Sequence, residues 1–143
     1  MDYFEDLSVG ATASLGTCEV TAEEITEFGR RYDPQPFHTD PEAAADSPFG
    51  GLVASGWHTA SLTMRLLVEG WLSGVATRGA AGVDELRWHR PVRPGATLRV
   101  KAEVAGTDDW DESTGLVDLA VTTFAGEERA LSMVGLVLVA RRP

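Results

Sequence analysis

Residues 55–72, SGWHTASLTMRLLVEGWL, place apolar side chains on almost every side of a helix. The spacing predicts a helix starting near Ser55 or Gly56 and running to about Leu72. Trp57, Ala60, Ser61, Met64, Leu67, Val68 and Trp71 form one stripe. Leu62, Leu66 and Leu72 continue around it, and Arg65 with Glu69 at i, i+4 is the only charged pair. A helix with so little polar surface must be enclosed, so the rest of the chain has to supply a wrapping.

That wrapping is written in the second half. Leu98, Val100, Ala102 and Val104 alternate with Thr97, Arg99, Lys101 and Glu103, the period of a half-buried antiparallel strand. Leu86 and Trp88 alternate ahead of a turn at residues 91–95, and Val117, Leu119 and Val121 follow a polar turn at residues 106–115. Residues 131–140 are apolar on both faces, which suits a central strand or one covered by a second chain. With residues 13–20 this gives about five strands curled around one buried helix, an α+β domain spanning residues 1–143.

Helices precede the long one. Thr21 with Glu24 forms a capping box, and Ile25, Phe28 and Tyr32 follow at helical spacing, with Arg30 and Arg31 in the last turn. Pro34 stops this helix. Asp40 before Pro41 opens a short helix through Ala45. Residues 33–39 between them read as a constrained loop.

Composition bounds the function. The chain has 143 residues, 43% hydrophobic and 24% charged, enough for one core. The start MDYFEDL lacks the features of a signal peptide and the apolar run at residues 131–140 is half a membrane span, so a soluble, cytoplasmic protein is expected. Cys18 is the single cysteine, which excludes an internal disulfide and a thiolate metal cluster. A net charge of −10 argues against nucleic acid and anionic membranes as partners. The charge is uneven: residues 1–46 hold 11 acids against Arg30 and Arg31 alone. Residues 87–101 contain no acid but carry Arg87, Arg90, Arg93, Arg99 and Lys101. That stretch is either a solvated strand face or a patch for a small polyanion such as a nucleotide phosphate.

The segment YDPQPFHTDP at residues 32–41 is the candidate site. Two prolines stiffen a loop that carries Asp33 and His38, a carboxylate and an imidazole able to hold a water and move its protons. The same residues also serve as plain turn and capping residues. His58 reads as a surface residue at the helix start and His89 as a strand-face residue beside Arg87. Neither lies at a metal-ligand spacing, so no metal is expected.

These residues resemble the MaoC-like dehydratases, the (R)-specific enoyl-CoA hydratase group of hot dog fold proteins. Asp33, Pro36, Phe37, His38, Asp40 and Pro41 match that family's site pattern, with Gln35 where Asn is usual. Ala54-Ser55-Gly56 resembles its small residue and Gly opening the central helix, and residues 90–95 resemble its strand turn. The resemblance implies reversible hydration of a 2-enoyl-CoA to a 3-hydroxyacyl-CoA. Asp33 is then the base, His38 the proton donor or relay, and the Gly56 N–H the donor to the thioester oxygen. Ser55, Met64 and Leu67 would contact the acyl-thioester, a long Met64 favouring short or branched acyl groups. Arg87, Arg90 and Arg93, with Arg99 and Lys101, would meet the phosphates. Coenzyme A is part of the substrate, so no separate cofactor is implied, and a homodimer or higher homo-oligomer is. Two alternatives carry other expectations. A hot dog thioesterase would use Glu69, the one acid on the central helix, and a noncatalytic acyl-CoA binding domain would need neither Asp33 nor His38.

Overall fold

A computed structural model describes residues 1–143. After a short 3-10 turn at Phe4–Asp6 come β1 (Thr12–Glu19), α1 (Ala22–Tyr32), α2 (Pro36–Thr39), α3 (Pro41–Ala45) and α4 (Gly56–Gly70). A 3-10 turn at Leu72–Gly74 leads to β2 (Thr77–Trp88), β3 (Thr97–Asp109), β4 (Thr114–Ala125) and β5 (Glu128–Ala140). The strands form one antiparallel sheet of five in the order β1-β3-β4-β5-β2. It curves around α4 as expected.

The alternation in β3 is realised: Leu98, Val100, Ala102 and Val104 are buried. Val117, Leu119 and Val121 of β4 and Val137 and Val139 of β5 join Leu66 and Leu67 of α4 in the larger of two cores. The second core gathers Val20, Ile25, Ala44, Leu52, Val92 and Leu98 under the short helices. Between them the helix is tied to the sheet by a buried hydroxyl pair. Thr63 donates to the Thr59 carbonyl at 2.8 Å, so Thr123 of β4 donates to Thr63 at 2.6 Å. Because every polar atom of this pair is satisfied, the burial of two threonines is tolerated.

Several sequence expectations are corrected. The face of α4 turned to the sheet carries Thr59, Thr63, Leu66 and Leu67, whereas Trp57, Met64 and Val68 of the expected stripe stay 57%, 46% and 39% exposed. A helix apolar on three sides gives periodicity no single direction, and the hydroxyl pair hid the true inner face. The helix ends at Gly70, two residues earlier than expected, and passes into the 3-10 turn. Pro36 presets the φ of a first helical position, so residues 36–39 form a turn of helix within what reads as loop. The polar turn shrinks to residues 110–113, since β3 and β4 extend into it.

β5 is an interior strand, pairing with β4 along one edge and with β2 along the other. β2 is an edge strand of 12 residues, reaching well upstream of Leu86. Its pairing with β5 shifts register three times, and Glu85 within the last shift has a φ of 54°. No helix is long and apolar enough to cross a membrane.

His58 is the largest departure from the sequence reading. It is 5% exposed, its ring stacks on Phe28 of α1 at 4.9 Å, and its buried Nδ1 has no partner. Its third position in α4 put it under α1 instead of in solvent. Burial lowers its pKa from 6.5, with Glu24 opposing. As pH falls below about 6.5 the unfolded chain takes up this proton and the folded chain does not, so stability falls until the lowered pKa is reached. We expect the urea midpoint of His58→Gln to fall less steeply than that of the parent from pH 6.5 downward. Parallel declines would show that His58 does not carry this loss.

Candidate active site

Asp33 is the residue at which α1 ends, and Pro34 behind it keeps the helix from continuing. His38 lies in α2, folded back against α1. That approach needs Gly29, where a Cβ would fall 2.8 Å from the His38 carbonyl oxygen and 3.0 Å from its Cβ. The imidazole is 6% exposed, and its Nδ1 lies 2.6 Å from the Val53 carbonyl oxygen. A carbonyl only accepts, so the proton is on Nδ1 and the working nitrogen is Nε2. Nε2 lies 3.3 Å from Oδ2 of Asp33. The pair singled out from the sequence is therefore brought together, by two helices meeting at a glycine.

The carboxylate has two further partners. Gln35 Nε2 donates to Oδ1 and Ser55 Oγ donates to Oδ2, both at 2.7 Å. Burial pushes the Asp33 pKa up, but the hydrogen bonds from Gln35 and Ser55 and the charge of His38 outweigh it and hold the carboxyl below its usual range. Asp33 is thus anionic at neutral pH and fit to accept a proton.

Asp33 and His38 open on a cavity of about 350 Å³, walled by Phe37, Phe49, Trp57 and Trp88. Gly56 lies on its edge at the start of α4, where the N–H makes no hydrogen bond within the chain and is free for an oxygen in the cavity. Only glycine fits there. The Trp88 indole N–H donates to the Gly56 carbonyl at 2.9 Å, and a Cβ at position 56 would fall 2.4 Å from the indole Cε2.

The remaining expected site residues divide. Ser55 is 1% exposed, lines the same cavity and donates its hydroxyl proton to Asp33, so it supports the carboxylate from within the site. Met64 and Leu67 lie outside the Asp33 cavity and line a separate apolar groove of about 580 Å³ with Val68, Val83, Met133 and Val137. Met64 stands eight residues down the helix from Gly56, roughly 12 Å along its axis. Of the basic residues only Arg90 borders the cavity, in an exposed pair with Glu128 at 2.9 Å. Arg87 donates to the adjacent Leu86 carbonyl, and Arg93 donates to the Phe49 carbonyl at 2.7 Å, tying down a loop. Arg99 lies over the Phe124 ring, and Lys101 lines a groove with Thr12 and Ser14 of β1. Neighbours in sequence fail to make one patch because β4 and β5 separate β3 from β2 in the sheet.

His89 is a cavity residue the sequence reading assigned to a strand face. It borders the Asp33 cavity just beyond β2, its Nε2 2.7 Å from Ser132 Oγ. Nothing in its spacing distinguishes it, since strand alternation stops at Trp88. Glu69 pairs with Arg65 at 2.9 Å in solvent, outside the cavity.

The MaoC like domain family model matches residues 9–125. The 3-hydroxybutyryl-CoA dehydratase of Methylorubrum extorquens is 33% identical over 144 aligned positions, covering 98% of this chain and 85% of that protein. The 3-hydroxyacyl-thioester dehydratase Z of Mycobacterium tuberculosis is 32% identical over 123, covering 82% of this chain and 80% of that protein. Among solved structures, the MaoC-like dehydratase of Rhodospirillum rubrum superposes with a TM-score of 0.92 at 40% identity, covering 100% of this chain and 99% of its own. The (R)-hydratase of A. caviae superposes with a TM-score of 0.73 at 26% identity, covering 97% and 99%. An antiparallel sheet wrapped on one long helix, the Asp33 and His38 pair at its rim and these relatives together make this chain a member of the MaoC-like dehydratase family, with the hot dog fold.

Proposed function

We propose that the protein is a hydro-lyase that reversibly adds water to a 2-enoyl-CoA thioester to give a 3-hydroxyacyl-CoA. The observation that carries this reading is the Asp33 Oδ2 to His38 Nε2 approach of 3.3 Å, opening on a cavity that the free Gly56 N–H also borders. It holds a base, an acid and an oxyanion donor within one small volume.

In the hydration direction His38 starts with its proton on Nδ1 and Asp33 ionised. Asp33 takes one proton from water as the oxygen bonds to C3, and the electron pair of the double bond moves to the thioester oxygen. The Gly56 N–H receives that developing charge. The proton gained by Asp33 then passes to His38 Nε2, which gives it to C2, and this restores the starting pair. Coenzyme A enters as part of the substrate, and the chemistry asks for no other cofactor. A thioesterase reading has no support in the geometry, because Glu69 is held in a solvent ion pair outside the cavity.

The exposed face of α4 and the unpaired edge of β2 border the same apolar groove. We read this surface as the contact between two copies of the chain, a homodimer that encloses the groove as the channel for the acyl chain. We propose a cytoplasmic location, with coenzyme A thioesters there as the substrate pool.

Asp33→Asn and His38→Ala should each lower hydration by at least roughly a hundredfold in folded protein, followed as loss of the conjugated thioester absorbance. Near-normal turnover in either would remove the pair from the chemistry, and thiol release outpacing hydration would assign a hydrolase. Arg90→Ala should raise KM and spare kcat, because phosphates are held equally in ground and transition states. An unchanged KM would place them elsewhere. Met64→Ala should raise the kcat/KM ratio of an eight-carbon over a four-carbon enoyl-CoA by about tenfold. A constant ratio in the stable variant would mean the chain avoids the groove.

A further inference from the structure

We propose that Gln35 and Ser55 are positioning residues that clamp the Asp33 carboxylate, fixing both its orientation and its ionisation. This rests on the reading of Asp33 as the base. The clamp is needed because of where Asp33 stands. It closes the C-terminal end of α1, where the helix dipole disfavours a negative charge, although Arg30 and Arg31 stand in that last turn. A carboxylate there, partly buried and without donors, would hold its proton to a higher pH and be free to rotate away from His38.

The two donors reach it from separate elements, and each is itself held. Gln35 precedes α2, where its carbonyl accepts from the His38 N–H at 2.9 Å and from the Thr39 hydroxyl at 3.2 Å. Its own backbone N–H donates to the Asp33 carbonyl at 2.8 Å, which fixes the backbone from which the side chain reaches back to Oδ1. Ser55 caps α4, its Oγ accepting from the Trp57 N–H at 3.3 Å. With that lone pair engaged, the Ser55 proton is directed to Oδ2 at 2.7 Å. One donor on each oxygen stops the carboxylate rotating. Oδ2 faces His38, and Oδ1 keeps a lone pair for a water in the cavity.

The charged and titratable groups around Asp33 are few. His38 on α2 is 3.3 Å away, and His89 and Arg90 beyond β2 border the same cavity. On α4, His58 turns away to stack on Phe28. Ionisation of Asp33 therefore rests on His38 and the two neutral donors.

The test is a carbon-13 NMR titration of the Asp33 carboxyl in the substrate-free protein, its signal identified by its loss in Asp33→Asn. Gln35→Leu and Ser55→Ala should each move the Asp33 titration upward by about one pH unit, the scale of one hydrogen bond to a charged group. The acid limb of kcat/KM should move the same way, with kcat down by about tenfold and KM within about twofold. Gln35→Asn and Ser55→Thr keep a donor and should restore both readouts toward the parent. An Asp33 titration that stays in place in both Gln35→Leu and Ser55→Ala overturns the clamp, as does a loss of kcat that Ser55→Thr and Gln35→Asn leave unrepaired. The titration needs no turnover, so an upward shift in a protein that hydrates no enoyl thioester supports the clamp and removes only the proposed reaction.

Discussion

Everything at the rim of this fold depends on one buried hydrogen bond, from His38 Nδ1 to the Val53 carbonyl. It joins the helical first half of the chain to the segment that leads into α4. Val53 returns the contact by donating its N–H to the Phe37 carbonyl at 3.1 Å, so the link is reciprocal. Leu52 and Ala54 on either side of Val53 are packed in the second core, which makes that segment a rigid mount. The bond sets the tautomer of His38, and the tautomer decides which nitrogen meets Asp33. Without it the imidazole would lose its fixed place beside a carboxylate that Ser55 already ties to the start of α4.

Legibility in the sequence followed the range of the interaction. Period-two alternation reports directly on burial, so the inner face of β3 was readable residue by residue. Capping is similarly local: Thr21 accepts from the Glu24 N–H and Asp40 from the Glu42 N–H, as their positions suggested. Asp33 and His38 are five positions apart on a stiffened segment, close enough for sequence to hold them together. Ser55 donates to Asp33 across 22 residues, and no local pattern announces such a contact. The inner face of α4 was hidden for a related reason, since Thr63 earns its place only through Thr123, 60 residues away. The basic stretch is the opposite case. Five charges close in sequence were dispersed by a sheet order that sequence does not display.

Two kinds of residue meet at the cavity and divide the work. Polar groups there are few and each is held by a second group: His38 by Val53, Asp33 by Gln35 and Ser55, the Gly56 carbonyl by Trp88. The aromatic walls add bulk with little conformational freedom, and Trp57 and Trp88 brace one another edge to face at 5.1 Å. A reacting group entering this space finds dipoles already oriented, so little reorganisation is left for the moment of bond making.

The irregular edge of the sheet has a consequence for solubility. A long strand with a free row of N–H and C=O groups is a template onto which stray extended chains can add without end. β2 is such a strand, but its three register shifts and the left-handed Glu85 interrupt the row at fixed places. A straight strand from another protein cannot follow those interruptions, whereas an antiparallel copy of β2 carries the same ones. The bulges act as a key: they let one edge stay long and open while refusing the indiscriminate pairing that ends in fibres.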